Sequence, residues 1–97
     1  MKNVSVQDVP SDAQLIDCRE DNEWNVDHAA GAVHIPLSEF VSRIDEIDLD
    51  RDVYLICKAG GRSLQAAEYL EQVKGITPVN VEGGTDAWRE AGLPMEQ

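Results

Sequence analysis

Residues 53–63 read Val-Tyr-Leu-Ile-Cys-Lys-Ala-Gly-Gly-Arg-Ser, and this stretch decides the fold more than any other part of the chain. Its apolar run ends at Cys57, and a short loop with two glycines follows. Arg62 and Ser63 then lead into a segment whose apolar residues have helical spacing. This order predicts a buried strand, a tight loop sized for an anion and a helix N-terminus, with one sulfur at the base of the loop.

The loop residues are of the types that stabilise a thiolate. Gly60 and Gly61 allow the backbone to turn with its amides pointing inward, and Ser63 can cap the following helix. Together with the Arg62 guanidinium and the helix dipole, these groups would lower the pKa of Cys57 from about 8.5 toward or below neutrality. A cysteine at the end of an apolar strand is more often a small buried hydrophobe, but its loop favours a nucleophile here.

Charge and composition restrict the partners. The 97 residues suit one domain, 1–97, and the net charge is −11. Nucleic acids and anionic membranes bind basic surfaces, so we expect neither as a partner. Two of the eight Lys and Arg residues, Lys58 and Arg62, fall within the six residues that start at Cys57. We therefore expect a positive island that attracts a small anion to an otherwise acidic protein.

The cysteine usage argues against a disulfide scaffold or a metal site, and the N-terminal residues predict a cytoplasmic protein. Only Cys18 and Cys57 occur, which is too few for a disulfide scaffold, and no CxxC or Cys/His pair has ligand spacing. We expect neither a metal nor a cofactor. The N-terminal residues lack an apolar signal-peptide core, and no stretch approaches the roughly 20 apolar residues of a membrane span.

Apolar runs alternate with helix-patterned segments, which is typical of an α/β domain with helices on both faces of a parallel sheet. The clearest helix covers 64–73, with Gly75 as its C-cap, and two shorter helices open near positions 36 and 85. Because sites form beyond the carboxyl ends of parallel strands, Cys18 and Cys57 should share one sheet edge if their strands are neighbours. The predicted strands are 4–6, 15–16, 32–35, 53–56 and 79–81.

Four ordered blocks of the chain resemble the rhodanese family of sulfurtransferases. They are LIDCREDNEW at 15–24, DHAAGAVHIP at 27–36, the loop at 57–63 and VEGGTDAWREAGLP at 81–94. The second block departs from the family pattern, because Asp27, Ala29 and Ala30 replace its usual Gly, Ile and Pro. The resemblance implies a five-stranded, mostly parallel sheet flanked by helices. It also implies transfer of a sulfane sulfur from thiosulfate or a persulfide donor to cyanide or a thiol.

The same resemblance assigns roles to the loop. Cys57 is the nucleophile that carries the sulfur as a persulfide. The backbone amides of the loop cradle that sulfur, while Lys58 and Arg62 bind the anionic donor. An acceptor protein is a further possible partner. The substrate-binding residues implied in this way are Lys58, Ala59, Gly60, Gly61, Arg62 and Ser63.

Other residues in the matching blocks are interpreted as structural, with one exception. Cys18 is a candidate redox partner, because cell-cycle phosphatases of the same superfamily have a cysteine there that can form a disulfide with the nucleophile. A buried small hydrophobe is the alternative interpretation of Cys18. The residues interpreted as structural are Asp17, Arg19, Trp24, His28, His34 and Trp88.

Two other functions stay open. A sulfur-carrier module would bind a partner protein and hand sulfur to it, with little turnover of small molecules. A phosphatase or arsenate reductase of the same fold is a weaker alternative, because such enzymes have five residues between the cysteine and the arginine. Here four residues, 58–61, separate Cys57 from Arg62, which favours sulfur over a phosphoryl group.

Overall fold

A computed structural model describes all residues, 1–97, and contains a five-stranded parallel sheet with the strand order β1-β6-β5-β2-β4. This confirms the predicted α/β class and the sheet implied by the family resemblance. A separate two-stranded antiparallel sheet pairs β3 with β7. The strands are β1 (Lys2–Val4), β2 (Gln14–Asp17), β3 (His28–Ala29), β4 (Val33–His34), β5 (Val53–Ile56), β6 (Val79–Val81) and β7 (Met95–Glu96).

Helices cover both faces of the sheet, as predicted. The α-helices are α1 (Asp21–Trp24), α2 (Gly61–Lys74) and α3 (Gly84–Glu90). Side chains alternate along a strand, so Ile16 and Leu55 pack in one core beside α2, whereas Leu15 and Ile56 pack in the other core with Trp88 of α3. None of the helices is both long and apolar enough to cross a membrane.

Several element boundaries differ from the prediction. The first strand is Lys2–Val4 and not 4–6, because Val6 begins a 3₁₀ turn, Val6–Asp8, and packs into the core. The helix expected from position 36 is instead two separate 3₁₀ turns, Leu37–Glu39 and Ile44–Glu46. The pair β3–β7 was not predicted, since two-residue strands leave no readable alternation.

The strand register brings the two cysteines together. β2 and β5 are neighbours, with Asp17 opposite Ile56. Cys18 and Cys57 follow these residues directly, and the backbone N–H of Cys18 donates to the carbonyl of Ile56 at 2.8 Å. Both sulfurs therefore lie at the same edge of the sheet, as predicted.

Candidate active site

Cys57 lies at the base of the loop between β5 and α2, where its sulfur accepts two hydrogen bonds. The backbone N–H of Gly60 donates to Sγ at 3.1 Å, and the Ser63 hydroxyl donates to it at 3.3 Å. Gly60 has a φ of +113°, in a region that favours glycine, and this turn aims its N–H at the sulfur. The predicted strand, loop and helix N-terminus are confirmed, and α2 begins at Gly61.

These contacts favour the thiolate. Burial of Cys57, which is only 1% exposed, opposes ionisation. The Ser63 hydroxyl outweighs that effect together with the backbone N–H groups of Ser63, Gly60 and Ala59, so the pKa of Cys57 falls below its ordinary value. An anionic sulfur is the nucleophilic form of cysteine. The loop can therefore support nucleophilic chemistry at Cys57 without a histidine.

Ser63 is part of a buried chain of polar side chains and does not cap the helix, so that expectation was wrong. Gly60 takes the N-cap position, which places Ser63 inside the first turn of α2. Its hydroxyl contacts Oδ1 of Asn80 at 2.5 Å, and Nδ2 of Asn80 donates to Oδ1 of Asn3 at 3.1 Å. A hydroxyl has one proton, so Asn80 and the Gly60 carbonyl, which lies 3.2 Å from the hydroxyl, compete with Cys57 for it. Asn80 was not predicted as part of the site, because its place beside the loop follows from the pairing of β6 with β5 and not from any spacing in the sequence.

Backbone N–H groups at the N-terminus of α3 hold the loop in place through hydrogen bonds. The N–H of Thr85 donates to the carbonyl of Cys57 at 2.7 Å, and the N–H of Asp86 donates to the carbonyl of Lys58 at 3.1 Å. Gly84 lies so close that a Cβ there would be 2.4 Å from the Cys57 carbonyl oxygen. Its φ of +59° also favours glycine. This contact explains why a glycine at position 84 is needed for the loop geometry.

The predicted positive island is wrong, because both loop cations have carboxylate partners from distant parts of the chain. Lys58 Nζ contacts Asp86 at 2.8 Å. Arg62 donates from Nη1 and Nη2 to the two oxygens of Glu23 at 2.6 and 2.8 Å. The hydrogen bonds and charge of Arg62 lower the pKa of Glu23 to about 2, so this carboxylate stays charged near neutrality. The sequence pattern showed a local excess of cations but not the partners that folding supplies.

Cys18 has surroundings opposite to those of Cys57. It is fully buried in the core beside α2, among apolar side chains. Burial raises its pKa, and the nearby charges of Asp17 and Cys57 raise it further. Both cysteines are free thiols. The structure therefore brings the candidate redox partner close to Cys57 but keeps its thiol protonated.

The residues interpreted as structural lie around the loop in packed positions. Asp17 and Arg19 form a buried bidentate pair, with Nε and Nη2 of Arg19 donating to the carboxylate at 3.0 to 3.1 Å. The Trp24 ring is stacked with the rings of both His28 and His34, with ring centroids 3.5 and 4.6 Å away. These contacts agree with the structural interpretation. No cluster of three or more His, Cys, Asp or Glu side chains suited to a metal ion is present.

Comparisons with known proteins agree with this architecture. The family model of the rhodanese-like domain matches residues 5–91. The chain is 46% identical over 77 residues to the uncharacterized protein YqhL of Bacillus subtilis, covering 78% of this chain but only 60% of that protein. It is 32% identical over 84 residues to the thiosulfate sulfurtransferase GlpE of Vibrio cholerae, covering 87% of this chain and 79% of that protein.

A solved structure supports the same assignment. The rhodanese-related protein of Thermoplasma volcanium superposes with a TM-score of 0.90 at 30% identity, over 99% of this chain and 98% of the other. The match extends over the sheet, the loop and all three helices, because nearly the whole of both chains is covered. This chain belongs to the rhodanese-like domain family.

Proposed function

We propose that the chain is a sulfurtransferase that carries sulfane sulfur as a persulfide on Cys57. In the first step, the Cys57 thiolate attacks the sulfane sulfur of thiosulfate or of a persulfide donor. An Sγ–S bond forms while the donor S–S bond breaks, and sulfite or a thiolate leaves with the electron pair. In the second step, cyanide or an acceptor thiolate attacks the outer sulfur, and Cys57 leaves as a thiolate.

The observation that carries this proposal is the set of hydrogen-bond donors around the Cys57 sulfur. The Gly60 N–H at 3.1 Å and the Ser63 hydroxyl at 3.3 Å support an anionic sulfur at this position. The remaining amides of the loop, those of Lys58, Ala59, Gly61 and Arg62, are proposed to line the cradle for the persulfide. The name of the Vibrio cholerae relative, thiosulfate sulfurtransferase, supports thiosulfate as a donor to test.

The phosphatase and arsenate reductase alternative gains no support. Its chemistry uses the positive charge of the loop arginine to bind a phosphoryl group, and the charge of Arg62 is already balanced by Glu23, which accepts from both Nη1 and Nη2. The four-residue separation between Cys57 and Arg62 also leaves a smaller loop than those enzymes use. The carrier-module alternative has the same first step and differs only in the acceptor, which would be a protein.

Mass spectrometry after incubation with thiosulfate or a small persulfide tests the proposal. We expect the protein to gain about 32 Da, one sulfur retained covalently, and the Cys57→Ala variant to gain nothing. A gain of the same mass by Cys57→Ala would show that the assignment is wrong. Hydrolysis of a small aryl phosphate that depends on Cys57 would instead favour a phosphatase. Loading without turnover of cyanide or small thiols, together with strong binding to a protein, would favour the carrier module.

Residues 1–97 are proposed to act as one domain in the cytoplasm, where a reducing environment would keep the two thiols free. Cys18 is proposed as a redox partner that protects the nucleophile. Peroxide would oxidise Cys57 to a sulfenic acid, and the Cys18 thiol would displace water from it to form a disulfide. The strand spacing of about 4.8 Å between β2 and β5 is compatible with a disulfide. Mass spectrometry after mild peroxide should find the intramolecular disulfide, and a Cys57 sulfinate without it would contradict this role.

A further inference from the structure

Glu23 is fixed in a position where it occupies the loop arginine. It lies on the short helix α1, whose N-cap is Glu20, and its Oε1 accepts the Glu20 backbone N–H at 3.4 Å. Both of its oxygens accept hydrogen bonds from Arg62, at 2.6 and 2.8 Å. The two side chains are about equally shielded, 25% and 32% exposed. A bidentate pair of this kind holds the guanidinium in one orientation and balances its positive charge, while three of its five N–H groups stay outside the pair.

Three cations of the loop and of the strand end beside it have carboxylate partners, and Arg89, which shares Asp86 with Lys58, pairs with Asp27. Arg62 pairs with Glu23, Lys58 pairs with Asp86, and Arg19 pairs with Asp17. The charges of these three pairs cancel, so the net charge of the site is −1 when Cys57 is a thiolate. The protein as a whole has a charge of −11. A dianion that approaches the sulfur is therefore repelled more strongly than a monoanion, and each of these three cations already has a carboxylate partner.

The two possible donors differ in the charge that they bring to this site. Thiosulfate is a dianion, and it leaves as sulfite, also a dianion, after its outer sulfur bonds to Cys57. A persulfide R–S–SH transfers the same outer sulfur, and its S–S bond breaks with the electron pair leaving on the thiolate R–S⁻. The persulfide brings at most one negative charge on sulfur. Electrostatics at this site thus favours persulfides, whereas an unpaired arginine would favour thiosulfate.

Building on the proposed sulfurtransferase function, we propose that Glu23 determines donor specificity by occupying Arg62, so that the site takes sulfur from persulfides of low charge in preference to thiosulfate. The Lys58–Asp86 pair contributes less to this selection. Both of its side chains are largely exposed, at 61% and 44%, and exposed pairs are weak and readily exchanged for other partners.

Glu23→Gln tests the proposal, because glutamine keeps an oxygen for the Glu20 N–H but removes the charge that holds Arg62. The two donors to compare are thiosulfate and cysteamine persulfide, whose ammonium group balances its sulfur charge. The measurement is the second-order rate constant for loading of sulfur onto Cys57. We expect Glu23→Gln to increase that constant about tenfold for thiosulfate and to change it less than about twofold for cysteamine persulfide.

Glu46→Gln is a matched control. Glu46 also forms a bidentate pair with an arginine, Arg43, at 2.8 and 2.9 Å. It precedes Asp48, which contacts Gln14 at the start of β2, the end of the strand opposite the loop. This variant removes the same charge and the same type of pair, so both loading constants should stay within about twofold of the wild type.

The wild-type protein provides a second measurement that does not depend on the folding of a variant. Added salt should accelerate loading from thiosulfate, because it screens the repulsion, and should leave loading from cysteamine persulfide nearly unchanged. The inference is overturned if Glu23→Gln does not accelerate thiosulfate loading, if it accelerates both donors equally, or if salt slows thiosulfate loading. These outcomes leave the proposed function intact. Absence of loading from either donor on wild-type protein would instead overturn the proposed function.

Discussion

The two cysteines occupy equivalent places in the fold and have opposite chemistry. Cys57 and Cys18 each follow a strand of the parallel sheet, at one edge, on adjacent strands, and both are almost completely buried. The pKa of Cys57 is lowered by the hydrogen bonds of the loop despite burial, whereas burial raises the pKa of Cys18. A position at the sheet edge is therefore not enough to make a cysteine nucleophilic. The difference comes from the loop, whose N–H groups and serine hydroxyl reach only one of the two sulfurs.

The reactivity of the two thiols provides the largest test of this comparison. At pH 7, methyl methanethiosulfonate should modify Cys57 at least about a thousandfold faster than Cys18, because only Cys57 has a thiolate-stabilising environment. The measurement is mass spectrometry of peptides after timed quenching. Cys57→Ser should remove the fast phase, and Cys18→Ala should keep it. Comparable rates at the two positions would contradict the contrast.

Gly84→Ala should disrupt the contacts that hold the loop and make the Cys57 thiol less reactive, as the Cys18 thiol is. The new Cβ would lie 2.4 Å from the Cys57 carbonyl oxygen and 2.5 Å from that of Lys58, at a φ of +59°. We expect the free energy of unfolding to fall by about 3 kcal/mol, measured by urea denaturation, and Cys57 to react more slowly.

Gly92→Ala is the matched control for this substitution. Gly92 also has a positive φ, +73°, but nothing lies within 4 Å of an added Cβ. Gly92→Ala should lower the free energy of unfolding by about 1 kcal/mol and leave the reactivity of Cys57 unchanged. Equal losses in the two variants would mean that backbone conformation, and not contact with the loop, explains the effect at Gly84.

Ser63→Ala should remove part of what distinguishes the two thiols. The hydroxyl at 3.3 Å stabilises the thiolate, so its loss raises the pKa of Cys57. The rate of modification rises with pH through this pKa, and its midpoint should therefore shift upward in the variant. At pH 7 we expect a rate about tenfold lower. An unchanged pH profile would show that the backbone amides alone set the pKa, with the Ser63 proton directed to Asn80.

The local parts of the site could be predicted from the sequence, and its long-range parts could not. The strand, loop and helix at 53–63 are continuous in the chain, and their apolar pattern and glycines encode them directly. The partners that complete the site come from elsewhere: Glu23 lies 39 residues before Arg62, and Asp86 lies 28 residues after Lys58. Spacing alone carries no information on such pairs, so the local charge excess was misread as a free positive site.

The limits of prediction are similar for the fold. Gly75 was correctly identified as the C-cap of α2, because glycine after a helical pattern is a local signal. The pairing of β3 with β7 joins residues 66 to 68 positions apart in two-residue strands, which no local pattern indicates. The apolar runs predicted five strands in an α/β alternation, and the family resemblance implied the same five-stranded sheet.

Thr85→Val offers the smallest and most selective test. Like Ser63, Thr85 is fully buried and close to Cys57, since its N–H donates to the Cys57 carbonyl at 2.7 Å. Its hydroxyl, however, has no hydrogen-bond partner. Valine has nearly the same shape and removes an unsatisfied polar atom, so the free energy of unfolding in urea should rise by about 1 kcal/mol.

The contrast with Ser63 lies in the second measurement on this variant. Valine keeps the backbone N–H that holds the loop, so the pH profile of Cys57 modification should match the wild type. A shifted profile would mean that the Thr85 hydroxyl turns toward the sulfur and belongs among its donors. We expect an unchanged profile for Thr85→Val and a shifted profile for Ser63→Ala. Together they would show that a buried hydroxyl near Cys57 affects its pKa only when it donates a hydrogen bond to Sγ. The difference between Cys57 and Cys18 would then come from the hydrogen-bond donors to Sγ.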